Sequence, residues 1–333
     1  MNNRDIFPWQ TKQWNLLWDV KKNNRLPHAL LFAGAIGLGK MQFAEAFSAA
    51  LLCEQSALQN KACGVCHHCG LVRAKSHPDL IRVVPEQAGQ MIKIDQIRSV
   101  VSNSNQTAMQ GGYKIFIINP AQLMNLNAAN ALLKTLEEAT PNTLFILISE
   151  QNLRLPLTIQ SRCQQIVFQK PEREIALNWL QSQAVRHDID WDLVLSIADG
   201  SPLQALALVE KGAMTLRQVI YSGLSDLSQG KADPLQLAAQ WQEHDIVMVF
   251  NFLQYWLRDL LRLHLTHQQS VLVNQDYRDV FSSLVQRVSQ KNLVHFLEFV
   301  AERYRKILNL QNLNRQLLLE ELLIQWTNYY VSR

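Results

Sequence analysis

The chain has 333 residues, enough for about two domains at about 150 residues each. Its composition, 48% hydrophobic and 18% charged, is that of a folded globular protein and excludes an intrinsically disordered one. The net charge of +4 divides into 17 Lys and Arg against 10 Asp and Glu up to Lys170, then 15 against 18 beyond it. That surplus is too small and too dispersed to identify a polyanionic partner. No stretch reaches the ~18–20 apolar residues of a membrane span, and Met1-Asn2-Asn3-Arg4-Asp5 runs into no signal-type apolar core. A cytoplasmic protein without a membrane partner is expected.

In chain order, His28 to Ala33 is a short apolar run that ends in a glycine-rich turn, and Lys40 to Leu52 follows with Ala, Phe and Leu at helical spacing. Asp79 to Val84 is a β-branched run stopped by Pro85, and Ile94 to Val101 has helical spacing. Lys114 to Ile118 repeats the buried-strand pattern and stops at Asn119-Pro120. Leu123 to Glu138 predicts a long helix with Ala128, Ala129, Leu132, Leu133 and Leu136 as its apolar stripe, and Leu144 to Ile148 another apolar strand. Apolar strands alternating with helices predict a parallel sheet covered on both faces.

From Pro171 the pattern becomes helical. Asp199-Gly200-Ser201-Pro202 reads as one helix stop followed by the next start. After Pro234 neither Gly nor Pro occurs through Arg333, and without these two punctuators long helices joined by short polar turns are predicted. Asp245 to Leu265 and Leu293 to Ile307 carry apolar residues at three- and four-residue spacing. The chain therefore reads as an α/β parallel-sheet domain over 1–170 with a cysteine insertion at 53–69, a small helical segment over 171–208, and an all-α domain over 209–333.

Gly34-Ala35-Ile36-Gly37-Leu38-Gly39-Lys40-Met41 lies between a predicted strand and a predicted helix. Its glycines let backbone N–H groups curl around phosphate oxygens at a helix N-terminus, and Lys40 would reach the β/γ-phosphates, as in a Walker A loop. The last position departs from that pattern: a hydroxyl should ligate Mg²⁺ there, and the Met41 thioether is a poor ligand for a hard cation. The strand that should end in metal-binding and water-activating acids runs instead into Asn119-Pro120-Ala121. The metal and base parts of phosphoryl transfer are gone. Gly34, Gly37, Gly39 and Lys40 thus read as a vestigial loop with weak nucleotide binding left open and efficient hydrolysis not expected.

Cys53, Cys63, Cys66 and Cys69 have the spacing of a metal knuckle. Four thiolates close a tetrahedral Zn²⁺ site without an open position for water, so a structural zinc is expected, with free buried thiols as the alternative. His67 and His68 are expected to remain exposed neighbours.

His28-Ala29-Leu30-Leu31-Phe32, the cysteine insertion, His77-Pro78-Asp79, Asn130 to Glu138 and Ser161-Arg162-Cys163 together resemble the clamp-loader subunits of bacterial DNA polymerase III, members of the AAA+ superfamily. The resemblance covers residues 1–205 by motif and the helical C-terminal domain by length and character. It implies an AAA+ (P-loop NTPase-like) module, a small helical lid and an all-α collar. It also implies a place in a hetero-pentameric ring with gamma/tau ATPase subunits and a delta subunit, loading a sliding clamp onto primed DNA in the replisome. In such rings one subunit cradles the nucleotide and the next presents an arginine to the γ-phosphate, and Arg162 matches that arginine.

Without the family, Arg162 reads as a surface salt bridge. Leu203 and Gln204 stand where active relatives carry a lid arginine, and Ser149 stands where a polar residue senses the γ-phosphate. Cys163 reads as a packing residue, and Lys134 with Glu138 as an ordinary i,i+4 pair near a surface the family uses for contacts. The resemblance implies a non-hydrolysing ring member that donates Arg162 in trans, with no catalysis by the isolated chain. An independent AAA+ ATPase, such as a helicase loader or remodeller, is the alternative, and a zinc-dependent nucleic-acid binder is the third reading.

Overall fold

The structure is a computed structural model that describes residues 5–55, 60–87, 90–138, 140–150, 155–183, 189–268, 272–308 and 314–331. Residues 56–59 of the cysteine insertion and 184–188 of the expected lid lie outside the described residues. The chain divides into two compact units, Met1–Ser182 with Ser201–Gln204 and Gln183–Gly200 with Ala205–Arg333.

The first unit runs α1 (Thr11–Lys22), β1 (Ala29–Ala33), α2 (Lys40–Leu52), α3 (His67–Arg73), β2 (Leu80–Val83), α4 (Ile94–Ser104), β3 (Lys114–Ile118), α5 (Leu126–Glu137), β4 (Thr143–Ser149), α6 (Leu157–Gln160), β5 (Gln164–Val167) and α7 (Arg173–Gln183). The five strands form one parallel sheet in the order β2-β3-β4-β1-β5. Every residue of β1, β3 and β4 is buried because helices cover both faces, which is why these strands are continuously apolar in sequence. Along β1 the side chains alternate between two cores. Leu30 and Phe32 pack with Trp14 and Trp18 of α1 and with Phe43 and Phe47 of α2. Ala29, Leu31 and Ala33 pack with Ile97 of α4 and with Ala128, Leu132 and Leu136 of α5. This is the parallel-sheet architecture expected of an AAA+ module. The structure adds β5, an edge strand in which only Ile166 is buried, so it has no apolar run to reveal it.

Beyond α7 come α8 (Trp191–Ile197), α9 (Pro202–Glu210), α10 (Ala213–Ser228), α11 (Pro234–Trp241), α12 (Ile246–Thr266), α13 (Arg278–Val285), α14 (Gln290–Leu308) and α15 (Arg315–Val331). The second unit, all-helical among the described residues, has a core that includes the fully buried Trp241, Trp256 and Trp326. One polar network threads that core. The fully buried Asp259 accepts from the Asn274 backbone N–H at 2.8 Å and from its Nδ2 at 2.7 Å. Asn274 Oδ1 accepts in turn from Arg217 Nε at 3.0 Å and from Tyr221 Oη at 3.2 Å, and Arg217 Nη2 donates to Asp276 at 2.6 Å. Asp259, Asn274, Arg217 and Tyr221 thus each have a partner within this network, as burial demands. No single helix among the described residues is long and apolar enough to cross a membrane.

Candidate functional site

The glycine loop leaves the C-terminal end of β1 and opens α2, the end of a parallel sheet at which ligands bind. Gly37 and Gly39 adopt φ of +76° and +80°, a region disfavoured for other residues. Both also sit against other protein groups. A Cβ on Gly37 would lie 2.7 Å from the Gln204 backbone nitrogen, and one on Gly39 would lie 2.4 Å from the Phe7 ring. The Leu203 N–H donates to the Gly37 carbonyl at 3.2 Å, and Gln10 Nε2 donates to the Leu38 and Gly39 carbonyls at 2.8 and 3.0 Å. Gly34 runs against Phe168. These contacts seat the loop on Phe7, Gln10 and Leu203–Gln204 through its carbonyls and α-carbons, while Gly37 and Gly39 still line a cleft.

Lys40 is 4% exposed, and its Nζ donates to the Ala35 carbonyl of its own loop at 2.6 Å. Burial holds its pKa below the ordinary lysine value, and the nearby Glu150 carboxylate pulls in the opposite direction. Met41, Asn119, Ile148, Glu150, Leu203 and Gln204 line the cleft beside the loop. Asn119 thus brings an amide to the cleft. Glu150 was not singled out from the sequence; its signal was an acid just past the C-terminal end of a strand neighbouring β1. It gives Lys40 a counter-charge. Ser149 is fully buried, does not line the cleft, and its Oγ has no hydrogen-bond partner among the described residues.

Arg162 stands at the other end of the sheet. Strand β5 pairs in parallel with β1, Leu30 opposite Gln164 and Ala33 opposite Val167. Arg162 precedes β5 whereas the glycine loop follows β1, so at least about 10 Å of strand separates the two levels. Its guanidinium donates from Nε to Glu137 Oε1 at 2.6 Å, from Nη2 to the same oxygen, and from Nη1 to the Thr158 carbonyl at 2.9 Å. Burial pushes the neighbouring Cys163 thiol up to about 12, which makes it an inert packing group.

The Cys53, Cys63, Cys66 and Cys69 sulfurs all lie within 4.8 Å of one another, with Cys53 to Cys66 at 4.0 Å and Cys63 to Cys69 at 3.9 Å. A tetrahedron with ~2.3 Å metal–sulfur bonds has edges of about 3.8 Å, so the four thiols fit one metal ion. Backbone N–H groups donate to the sulfurs, Cys63 to Cys53 at 3.2 Å and Gly64 to Cys69 at 3.3 Å, which favours thiolates. Hydrogen bonds from the Val65 and Cys66 backbone lower the Cys63 thiol to about 6, whereas burial pushes Cys69 up to about 12. A divalent cation would offset the charge that burial alone disfavours.

His68 departs from expectation: His67 is exposed, but His68 is half-buried and engaged. The Asp79 N–H donates to His77 Nδ1 at 3.1 Å, so in the neutral ring Nε2 carries the proton and faces His68 Nδ1 at 2.9 Å. Burial lowers the His77 pKa, in keeping with a neutral ring. The Asp79 carboxylate accepts from the Met109 and Gln110 N–H groups at 2.8 and 2.9 Å. His77-Pro78-Asp79 therefore ties the cysteine module to β2 and to the loop before β3, a long-range contact that spacing could not reveal.

Residues 9–172 match the profile of the family described as DNA polymerase III, delta subunit, and residues 211–328 that described as DNA polymerase III, delta subunit, C terminal. The DNA polymerase III subunit delta' of Pseudomonas aeruginosa is 37% identical over 97% of this chain and 98% of its own length. Its counterpart in Escherichia coli is 30% identical over 97% and 96%. A solved structure, a DNA polymerase III gamma subunit-related protein from Thermotoga maritima, aligns over 94% of this chain and 99% of its own with a TM-score of 0.44 and 18% identity.

Proposed function

The chain belongs to the DNA polymerase III delta' family, and from that footing we propose that it is a non-hydrolysing member of the clamp-loader ring. In this reading it holds a neighbouring ATPase subunit of the gamma/tau kind, offers Arg162 to that neighbour's ATP, and helps load the sliding clamp onto primed DNA. Residues 171–208 serve as lid and 209–333 as collar. The observation that carries the reading is the placement of the two cations. Lys40 is consumed within its own loop and countered by Glu150, whereas Arg162 stands at the opposite end of the sheet, partly exposed and beyond reach of that loop.

The arginine is suited to such a role because its delocalised charge and fixed fork of donors match phosphoryl oxygens. A neighbour's nucleotide gains in Arg162 what this chain's own cleft does not offer. Cys53, Cys63, Cys66 and Cys69 would hold a structural zinc, which would close the knuckle and supply no open ligand position for chemistry.

Arg162→Ala in a complex reconstituted with the gamma/tau and delta subunits tests the reading. Turnover at the site it faces is expected to fall on the order of 10³-fold or more, seen as a lost phase in single-turnover ATP hydrolysis and as impaired clamp loading. Unchanged hydrolysis and loading would overturn the arginine's role.

A further inference from the structure

We propose that Glu137 is a positioning residue for Arg162, an inference that rests on Arg162 acting in trans on a neighbour's nucleotide. A guanidinium has two paired edges, Nε with Nη2 at its side and Nη1 with Nη2 at its tip, plus one outer Nη1 hydrogen. Glu137 Oε1 takes the side edge, accepting from both Nε and Nη2, and the Thr158 carbonyl takes Nη1 at 2.9 Å. Ser161 Oγ is a distant third acceptor at 3.5 Å. This arrangement pins the guanidinium plane at two points, and the hydrogens of Nη1 and Nη2 that Thr158 and Glu137 do not use are left to meet phosphoryl oxygens.

Each anchor comes from a helix end. Glu137 is the last residue of α5, and Thr158 offers its carbonyl from the four-residue α6, where the final carbonyls lack helical partners. An acid at a helix C-terminus sits at the negative pole of the helix, the unfavourable end for a carboxylate. Glu137 is therefore poorly placed for the stability of α5 and well placed to hold Arg162. The far end of α5 is fixed by Asn125, whose side chain accepts from the Ala128 N–H at 2.8 Å, and the apolar stripe Ala128, Ala129, Leu132 and Leu136 seats the helix on the sheet. The carboxylate is thus delivered by a rigid element packed against the core.

With side chains 31% and 46% exposed, the pair contributes little to folding stability. Its value lies in orientation. A free arginine samples many rotamers, and a misplacement of 1 Å costs on the order of 100-fold in rate. Because one oxygen makes both contacts, a glutamine amide oxygen can replace it whereas alanine cannot.

Glu137→Ala, Glu137→Gln and Arg162→Ala are to be assembled separately with the gamma/tau and delta subunits. For Glu137→Ala the thermal midpoint, complex assembly and nucleotide affinity are expected to hold, while the single-turnover rate at the site facing Arg162 falls on the order of tenfold to a hundredfold. Glu137→Gln is expected to restore that rate to within about twofold of the wild type, a rescue that a merely structural role does not predict. If Arg162→Ala abolishes turnover at that site but Glu137→Ala leaves it unchanged or faster, the positioning role is overturned and the function stands. If Arg162→Ala itself changes nothing, the trans role fails first. Should Glu137→Ala not assemble, a Glu137→Gln complex with turnover lowered beyond about twofold overturns the role, and one that keeps the wild-type rate supports it.

Discussion

Lys40 and Arg162 carry the same formal charge and opposite fates. The Lys40 ammonium is buried and bonded to the Ala35 carbonyl, with Glu150 as counter-charge, so nucleotide phosphates would have to displace a contact already made. In a working loop this lysine is indispensable; here Lys40→Met is expected to leave ATP turnover of the assembled complex within about twofold of wild type, and a large loss would return a nucleotide role to the loop. Another polar residue, Asp259, is fully buried beneath the Val273 and Asn274 N–H groups and beside Arg262. Asp259→Leu would leave those donors unpaired, at a cost of about 3–5 kcal/mol. Urea unfolding followed by tryptophan fluorescence reads that loss, and a destabilisation under about 1 kcal/mol would show that the network is not structural.

At the scale of elements, α3 depends most on something outside itself. Its seven residues are too few for an independent helix, and it is flanked or occupied by the cysteines that could hold a metal ion and is held through His68 to His77. Removal of the metal by a chelator, or Cys66→Ser, is expected to erase hydrogen-exchange protection in residues 63–73 while β1, β3 and β4 keep theirs. Full protection in the metal-free protein would show that the cysteines act as packing thiols. Strand β5 illustrates a different dependence. Three of its four residues are exposed, so it exists by completing the ladder of β1, and its place at the sheet edge brings Arg162 to the surface.

At the scale of the whole molecule, the purified chain with ATP and Mg²⁺ is expected to release phosphate no faster than a buffer control. Met41, Asn119 and Pro120 supply neither the hydroxyl nor the acids that hydrolysis needs. A turnover number typical of a motor ATPase would revive the independent-enzyme reading. The lack of that hydroxyl and of those acids was legible in the sequence because it concerns residue types at fixed local spacing. So were the buried strands, the helical second unit and the four sulfurs of one knuckle. Tertiary structure alone decided that Leu203 and Gln204 cover Gly37, that Glu150 faces Lys40, that His77 reaches His68, and that Glu137 holds Arg162. Local pattern records the period at which a segment buries its side chains and the donors it carries. Contacts between residues 9 to 167 positions apart arise only when the sheet and its helices pack, and it is those contacts that set Glu150 beside Lys40 and Glu137 on Arg162.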